Sequence, residues 1–192
     1  MADYEIIAEG SVDGSAPTAI TLGSIPGDYT HLELMFNGAS TRSSVDYDDY
    51  TTIQLNADTT SGNYCRAYAY KKDGVGAPTQ VRQGFGPTGA QNSMGNTAWL
   101  PTRLAGQSTK LMAYARYYFP NYSGTTLTKG MIGWACCAGA WDWPGTGGSD
   151  SAIATLNGVW GWNDTSAITS ITINMGYAGF AVNTSYILAG IK

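Results

Sequence analysis

The chain has 192 residues, with ten Lys or Arg against 14 Asp or Glu and a formal net charge of −4. Hydrophobic residues make up 43%, which excludes wholesale disorder and suits one globular domain over 1–192. The ten bases are scattered, with only Lys71 and Lys72 adjacent, which excludes the phosphate neutralisation that nucleic-acid binding requires.

Taken in order, the chain predicts strands almost throughout. Residues 4–9 read as a first strand, 10–17 as a loop and 18–22 as a second strand. Ile25-Pro26-Gly27-Asp28 places Pro and Gly where a type II turn wants them. Segment 29–37 alternates cleanly: Leu32, Leu34 and Phe36 share one face, His31, Glu33 and Met35 the other. A polar, acidic loop over 38–50 follows, then a strand over 51–56 with Ile53 and Leu55 inward. After a turn cluster at 56–63, residues 64–71 form a strand and 72–78 a hairpin-like loop. A short strand is expected at 79–83 and a long loop at 84–96. Segment 97–104 suits an edge strand, because Pro101 bars a central position. The composition of 110–119 permits a helix, but Pro120 and the Tyr-Tyr-Phe end favour a strand. Residues 130–138 read as a buried strand, and 139–151 as a Gly-rich loop bearing Trp141 and Trp143. Strands follow at 152–162, with a bulge expected at Asn157-Gly158, at 167–175 and at 184–191.

Ten to twelve strands, no helix signal and 25 Gly with seven Pro as punctuation describe an all-β chain. The expected fold is an antiparallel, jelly-roll-like β-sandwich of about ten strands. No fixed-period repeat is visible, which argues against a propeller or solenoid. Cys65, Cys136 and Cys137 are too few for a disulfide framework and are expected to be buried free thiols. The start has no basic, apolar leader and no stretch is long enough to cross a bilayer. The chain is therefore expected to be made in a host cytoplasm and to have no membrane partner.

Candidate chemistry is sparse. His31 is the only histidine, so a His-cluster zinc site is excluded, and no Cys-x-x-Cys replaces it. No Gly-x-Ser-x-Gly nucleophile elbow is present. Asp46, Asp48 and Asp49 offer the oxygens that Ca²⁺ takes. They lack the Gly and the closing Glu of an EF-hand loop, and a solvated acidic loop is the plainer reading. Gly84, Gly86 and Gly89 are spaced like a phosphate cradle, without the helix or Lys that one needs. These observations point to no enzyme and no resident cofactor. Trp141 and Trp143 either stack on sugar rings or plug into the core or a neighbouring subunit. With Tyr117 and Tyr118 they are the candidate contacts for a partner or glycan. The 13 Tyr and six Trp among so few charges suit surfaces that rest against something.

Several stretches together resemble a β-domain of structural proteins from tailed bacteriophages, especially phages of cyanobacteria and marine bacteria. They are Ser24 through His31 to Leu34, the Arg42 loop after Gly38, Ile53 to Asn56 with Asp58, and Asn63-Tyr64. Further along come the Gly-x-Trp pair at Trp160 and Trp162, Ala167 to Ile173, and Ala189 to Lys192. The likeness rests on order and spacing, covers both ends and weakens between about Gly84 and Gly148. It implies a non-enzymatic virion component: an outer capsid decoration or cement protein, or a tail-fibre or tail-tip protein that binds host polysaccharide. The chain enters its β-domain without a fibrous stem, which favours decoration. The implied partners are itself, as a homotrimer, and the major capsid protein or another virion protein. The implied location is the virion.

Overall fold

The computed structural model describes residues 3–42, 49–60, 62–73, 80–84, 93–100, 112–140 and 151–192. The described residues form twelve strands and no helix. They are β1 (Tyr4–Ser11), β2 (Ala19–Leu22), β3 (His31–Gly38), β4 (Asp49–Leu55), β5 (Tyr64–Asp73) and β6 (Gln80–Gly84). The second half supplies β7 (Met94–Leu100), β8 (Ala113–Pro120), β9 (Lys129–Ala140), β10 (Ser151–Trp162), β11 (Ile171–Met175) and β12 (Ser185–Ile191).

Eight strands form one antiparallel sheet in the order β1-β12-β3-β8-β9-β10-β5-β6, and four form a second, β2-β11-β4-β7. The wiring is nested: β1 pairs with β12, β2 with β11, β3 with β8 and β4 with β7. Successive members of that set alternate between the two sheets of the sandwich. Two insertions, β5–β6 and β9–β10, both extend the larger sheet. β7 is an edge strand among the described residues, and the expected remainder of that strand, 101–104, lies outside them.

The core fills the space between the sheets. From β3, Leu32, Leu34 and Phe36 point inward, each at most 1% exposed. Facing them, Leu22, Ile171 and Leu55 form one cross-strand row, and Ile20, Ile173, Ile53 and Met94 form the next. Within segment 110–119, residues 113–119 lie in strand β8, whose burial alternates residue by residue, and 110–111 lie outside the described residues. Its inward Tyr117 fits because Gly133 lies opposite: a Cβ there would come within 2.5 Å of the Tyr117 ring.

Three expectations are corrected. Gly27 does not adopt the positive φ that a type II turn demands; the left-handed residue beside Pro26 is Ser24, at φ 55°. No bulge interrupts β10, whose register runs unbroken against both β5 and β9. The register shifts fall instead in β1 between Ile6 and Ala8, and in the pairing of β4 with β7, where the extra residues lie on β7 between Met94 and Ala98. Of the three thiols only Cys137 is buried, while Cys65 points outward and is exposed.

After β4, Asn56 and Ala57 both adopt left-handed backbone, at φ 50° and 53°, and the Asp58 amide donates to the Leu55 carbonyl, 2.9 Å away. Asn tolerates that conformation; Ala does so at a cost of about 1 kcal/mol or more. Ala57 is exposed. Ala57→Gly is therefore expected to stabilise the fold by about 1 kcal/mol in urea denaturation, and an unchanged or lower midpoint would contradict this account of the turn.

Candidate functional site

The larger sheet has an inner face in the core and an outer face with no layer over it among the described residues. Strand register places the outward side chains in two adjacent rows. One runs Glu33, Tyr118, Ile132, Val159, Ala67 from β3 across to β5. The other runs Met35, Arg116, Trp134, Asn157, Ala69 over the same strands. Side chains shrink from the aromatic centre on β8 and β9 to alanines on β5. The step leaves an open groove of about 710 Å³ across the middle of the sheet.

This face is unusually apolar for a surface. Ile132 is 55% exposed, Trp134 41% and Val159 51%, and Tyr4 and Ile6 extend the exposed strip on β1. The Trp134 ring leans on Tyr114, with centroids 5.2 Å apart. Tyr118 packs beside His31, also at 5.2 Å. Burial, reinforced by the neighbouring Tyr4 phenol, pushes the Tyr118 hydroxyl above its usual pKa of 10. His31 is itself held: its Nδ1 accepts the Asn121 amide hydrogen at 3.1 Å.

One ion pair sits in this apolar setting. Arg116 Nε meets Glu33 Oε1. Glu33 is 3% exposed, whereas the Arg116 side chain is 47% exposed. The carboxylate is thus the desolvated partner, and the rest of the guanidinium opens onto the groove. Among the described residues the groove lining holds this single carboxylate, already paired. It offers flat apolar surfaces with a few fixed donors and acceptors beside them, which is the chemistry of binding.

The expected site residues separate. Tyr118 lies on the groove. Tyr117 is fully buried on the opposite face, which removes it as a contact for any partner or glycan. Trp141 and Trp143 lie outside the described residues, as do Asp46 and Asp48. Asp49 is no free cation ligand: its carboxylate accepts from Ser40 Oγ at 2.6 Å and from the amides of Tyr50, Tyr177 and Ala178 at 2.9–3.2 Å. Among the described residues, no group of three His, Cys, Asp or Glu is placed to hold a metal. Sequence reasoning missed Arg116, Glu33, Trp134 and Asn157. The signal was present in the alternation of Tyr114, Arg116 and Tyr118. The run around Trp134, read as wholly buried, is buried on one face only.

Two further polar hubs lie together at one end of the sandwich, where Trp162 pairs with Lys129 across the strands. Asp58 accepts from Trp162 Nε1 at 2.7 Å, Asn63 Nδ2 at 2.9 Å and the Thr60 amide at 2.7 Å. Lys129, 3% exposed, donates from Nζ to the carbonyls of Gly124, Leu127 and Thr165. Both are saturated by the fold and serve it. No family model, no curated protein and no solved structure matches this chain.

Proposed function

We propose that this chain is a non-enzymatic structural protein of a tailed-phage virion, an outer capsid decoration or cement protein that rests on the major capsid lattice. The observation that carries the reading is the outer face of the eight-stranded sheet, where Tyr4, Ile6, Ile132, Trp134 and Val159 are each 41–60% exposed. A contiguous apolar face of this kind is covered in the working assembly. Its aromatic residues and single Arg match the composition of interface cores. The resemblance to phage virion β-domains supplies the setting. A homotrimer fits the closed symmetry usual for self-association and the three-fold positions of an icosahedral head.

A second reading, a tail-tip protein that holds host polysaccharide, is favoured by the aromatic groove. Copy number separates the two. Quantitative mass spectrometry of purified particles is expected to find hundreds of copies per virion. A few tens would move the protein to the tail, and its absence from particles would end the virion reading.

A further inference from the structure

We propose that the groove on the outer face is a carbohydrate-binding site for a neutral oligosaccharide of hexopyranose units. Trp134 and Tyr118 supply the stacking planes, and Arg116, Glu33 and Asn157 the polar contacts. The inference rests on the outer face being a binding surface, which both readings above share, and not on a head or tail location.

Shape comes first. The groove's volume of about 710 Å³ lies within the range of roughly 300–1,000 Å³ typical of ligand sites. It crosses β3, β8, β9, β10 and β5, four inter-strand spacings, or roughly 19 Å at about 4.8 Å each. That is a trough for a chain of rings rather than a socket for one.

The chemistry then narrows the occupant. A pyranose ring presents a flat C–H face with hydroxyls around its rim. The exposed indole of Trp134 offers a plane to that face, and Ile132 and Val159 continue the apolar floor beside it. The rim hydroxyls need both donors and acceptors. Asn157, exposed and next to Trp134 in the register, carries one of each on its carboxamide. Arg116 engages Glu33 through Nε, its side chain is 47% exposed, and it lines the groove. Arginine's planar fork suits two adjacent hydroxyl oxygens. An apolar protein segment would leave these polar groups facing it without partners, at a cost in affinity.

Charge sets the class of sugar. Arg116 is neutralised by Glu33, and the chain as a whole carries −4. An acidic glycan would need a cation in excess, and among the described residues the groove lining has none beyond the paired Arg116. The site therefore selects neutral sugars over uronates.

Affinity electrophoresis of the purified chain through gels holding dextran, mannan, galactan or mixed-linkage β-glucan tests this, with hyaluronate as the acidic comparator. Retardation is expected in at least one neutral gel and not in hyaluronate. Trp134→Ala and Asn157→Ala each change an outward side chain and are expected to remain folded by circular dichroism. Trp134→Ala is expected to weaken binding about tenfold or more, as loss of a central aromatic anchor does. No retardation in any neutral gel, a preference for hyaluronate, or full binding by Trp134→Ala would overturn the proposal. Sedimentation of the same proteins adds one more outcome. A dimer that Trp134→Glu converts to monomer would assign the face to a second copy of the chain and overturn the glycan. Binding by the isolated chain stands or falls independently of its copy number in a particle.

Discussion

Arg116→Ala is expected to destabilise the fold by about 3 kcal/mol, whereas Glu33→Gln is expected to cost about 1 kcal/mol or less. The asymmetry follows from where water reaches the pair. Removing Arg116 strands a carboxylate that is 3% exposed. Breaking a buried pair from one side typically costs about 3–5 kcal/mol, and the open groove puts this case at the lower end. Removing the charge at position 33 instead leaves a guanidinium on a side chain that is 47% exposed and still hydrated. The double variant Arg116→Ala with Glu33→Gln should then be more stable than Arg116→Ala alone, because the stranded charge is gone. Urea unfolding of the four proteins at pH 7 measures all three differences. Equal costs for the two single variants, or a double variant less stable than Arg116→Ala, would refute this account of the pair.

This pair also marks the limit of what the sequence disclosed. The alternation of Leu32, Leu34 and Phe36 against His31, Glu33 and Met35 identified β3 and its inward face correctly, because a half-buried strand has period two. Neither face alone reveals that Glu33 is buried. That burial comes from Arg116 on β8, reached through a register that depends on where a chain more than 80 residues away lies down. The strand order was illegible for the same reason: β1 pairs with β12 across nearly the whole chain, and no local signal encodes that choice.

β9 shows a different failure. Met131, Ala135 and Cys137 point inward, Ile132 and Trp134 outward, and both sets are apolar. Such a run reads as buried on two sides. Only the finished sheet shows that its outer side stays uncovered among the described residues, and that exposure is what makes the groove. The Tyr-Tyr-Phe end of 110–119 points to strand, and residues 113–119 form one. The inward role of Tyr117 against the outward role of Tyr118 needed the phase of the strand, fixed by the space beside Gly133.

The residues that carried the family resemblance have a structural account of their own. Asn56 Oδ1 accepts from the amides of Thr169 and Ser170, and its Nδ2 donates to the Ala167 carbonyl. Tyr64 Oη donates to the Asp58 carbonyl at 3.1 Å and accepts the Leu55 amide at 3.2 Å. Trp162 reaches Asp58. Distant segments are thus tied at one end of the sandwich by side chain to backbone bonds that demand particular residues at fixed spacing. This explains why order and spacing stand out, and it is independent of any virion.

At the centre of that end, Asp58→Ala is expected to cost about 3 kcal/mol, since each hydrogen bond to a charged acceptor is worth about 1.5–3 kcal/mol and the three are not additive. The heaviest part of the loss is the Trp162 indole N–H, which would be left without its acceptor on a residue 2% exposed. Burial by itself pushes the Asp58 carboxyl up, but hydrogen bonds from Asn63, Trp162 and Thr60 outweigh it and hold the group well below the ordinary carboxylate range. A carboxyl depressed in the folded state stabilises the fold fully above its unfolded pKa, near 3.8, and loses that contribution as pH falls toward the folded value. The stability difference between the unaltered chain and Asp58→Asn should therefore be largest at pH 7 and nearly as large at pH 5, then shrink at pH 3 and below. Urea midpoints at those three values test the sign, and a difference that stays constant or grows on acidification would contradict it. Because Trp162 ends β10 and Asp58 follows β4, this contact ties the larger sheet to the smaller one. The sheet that carries the groove is thereby anchored from its inner side.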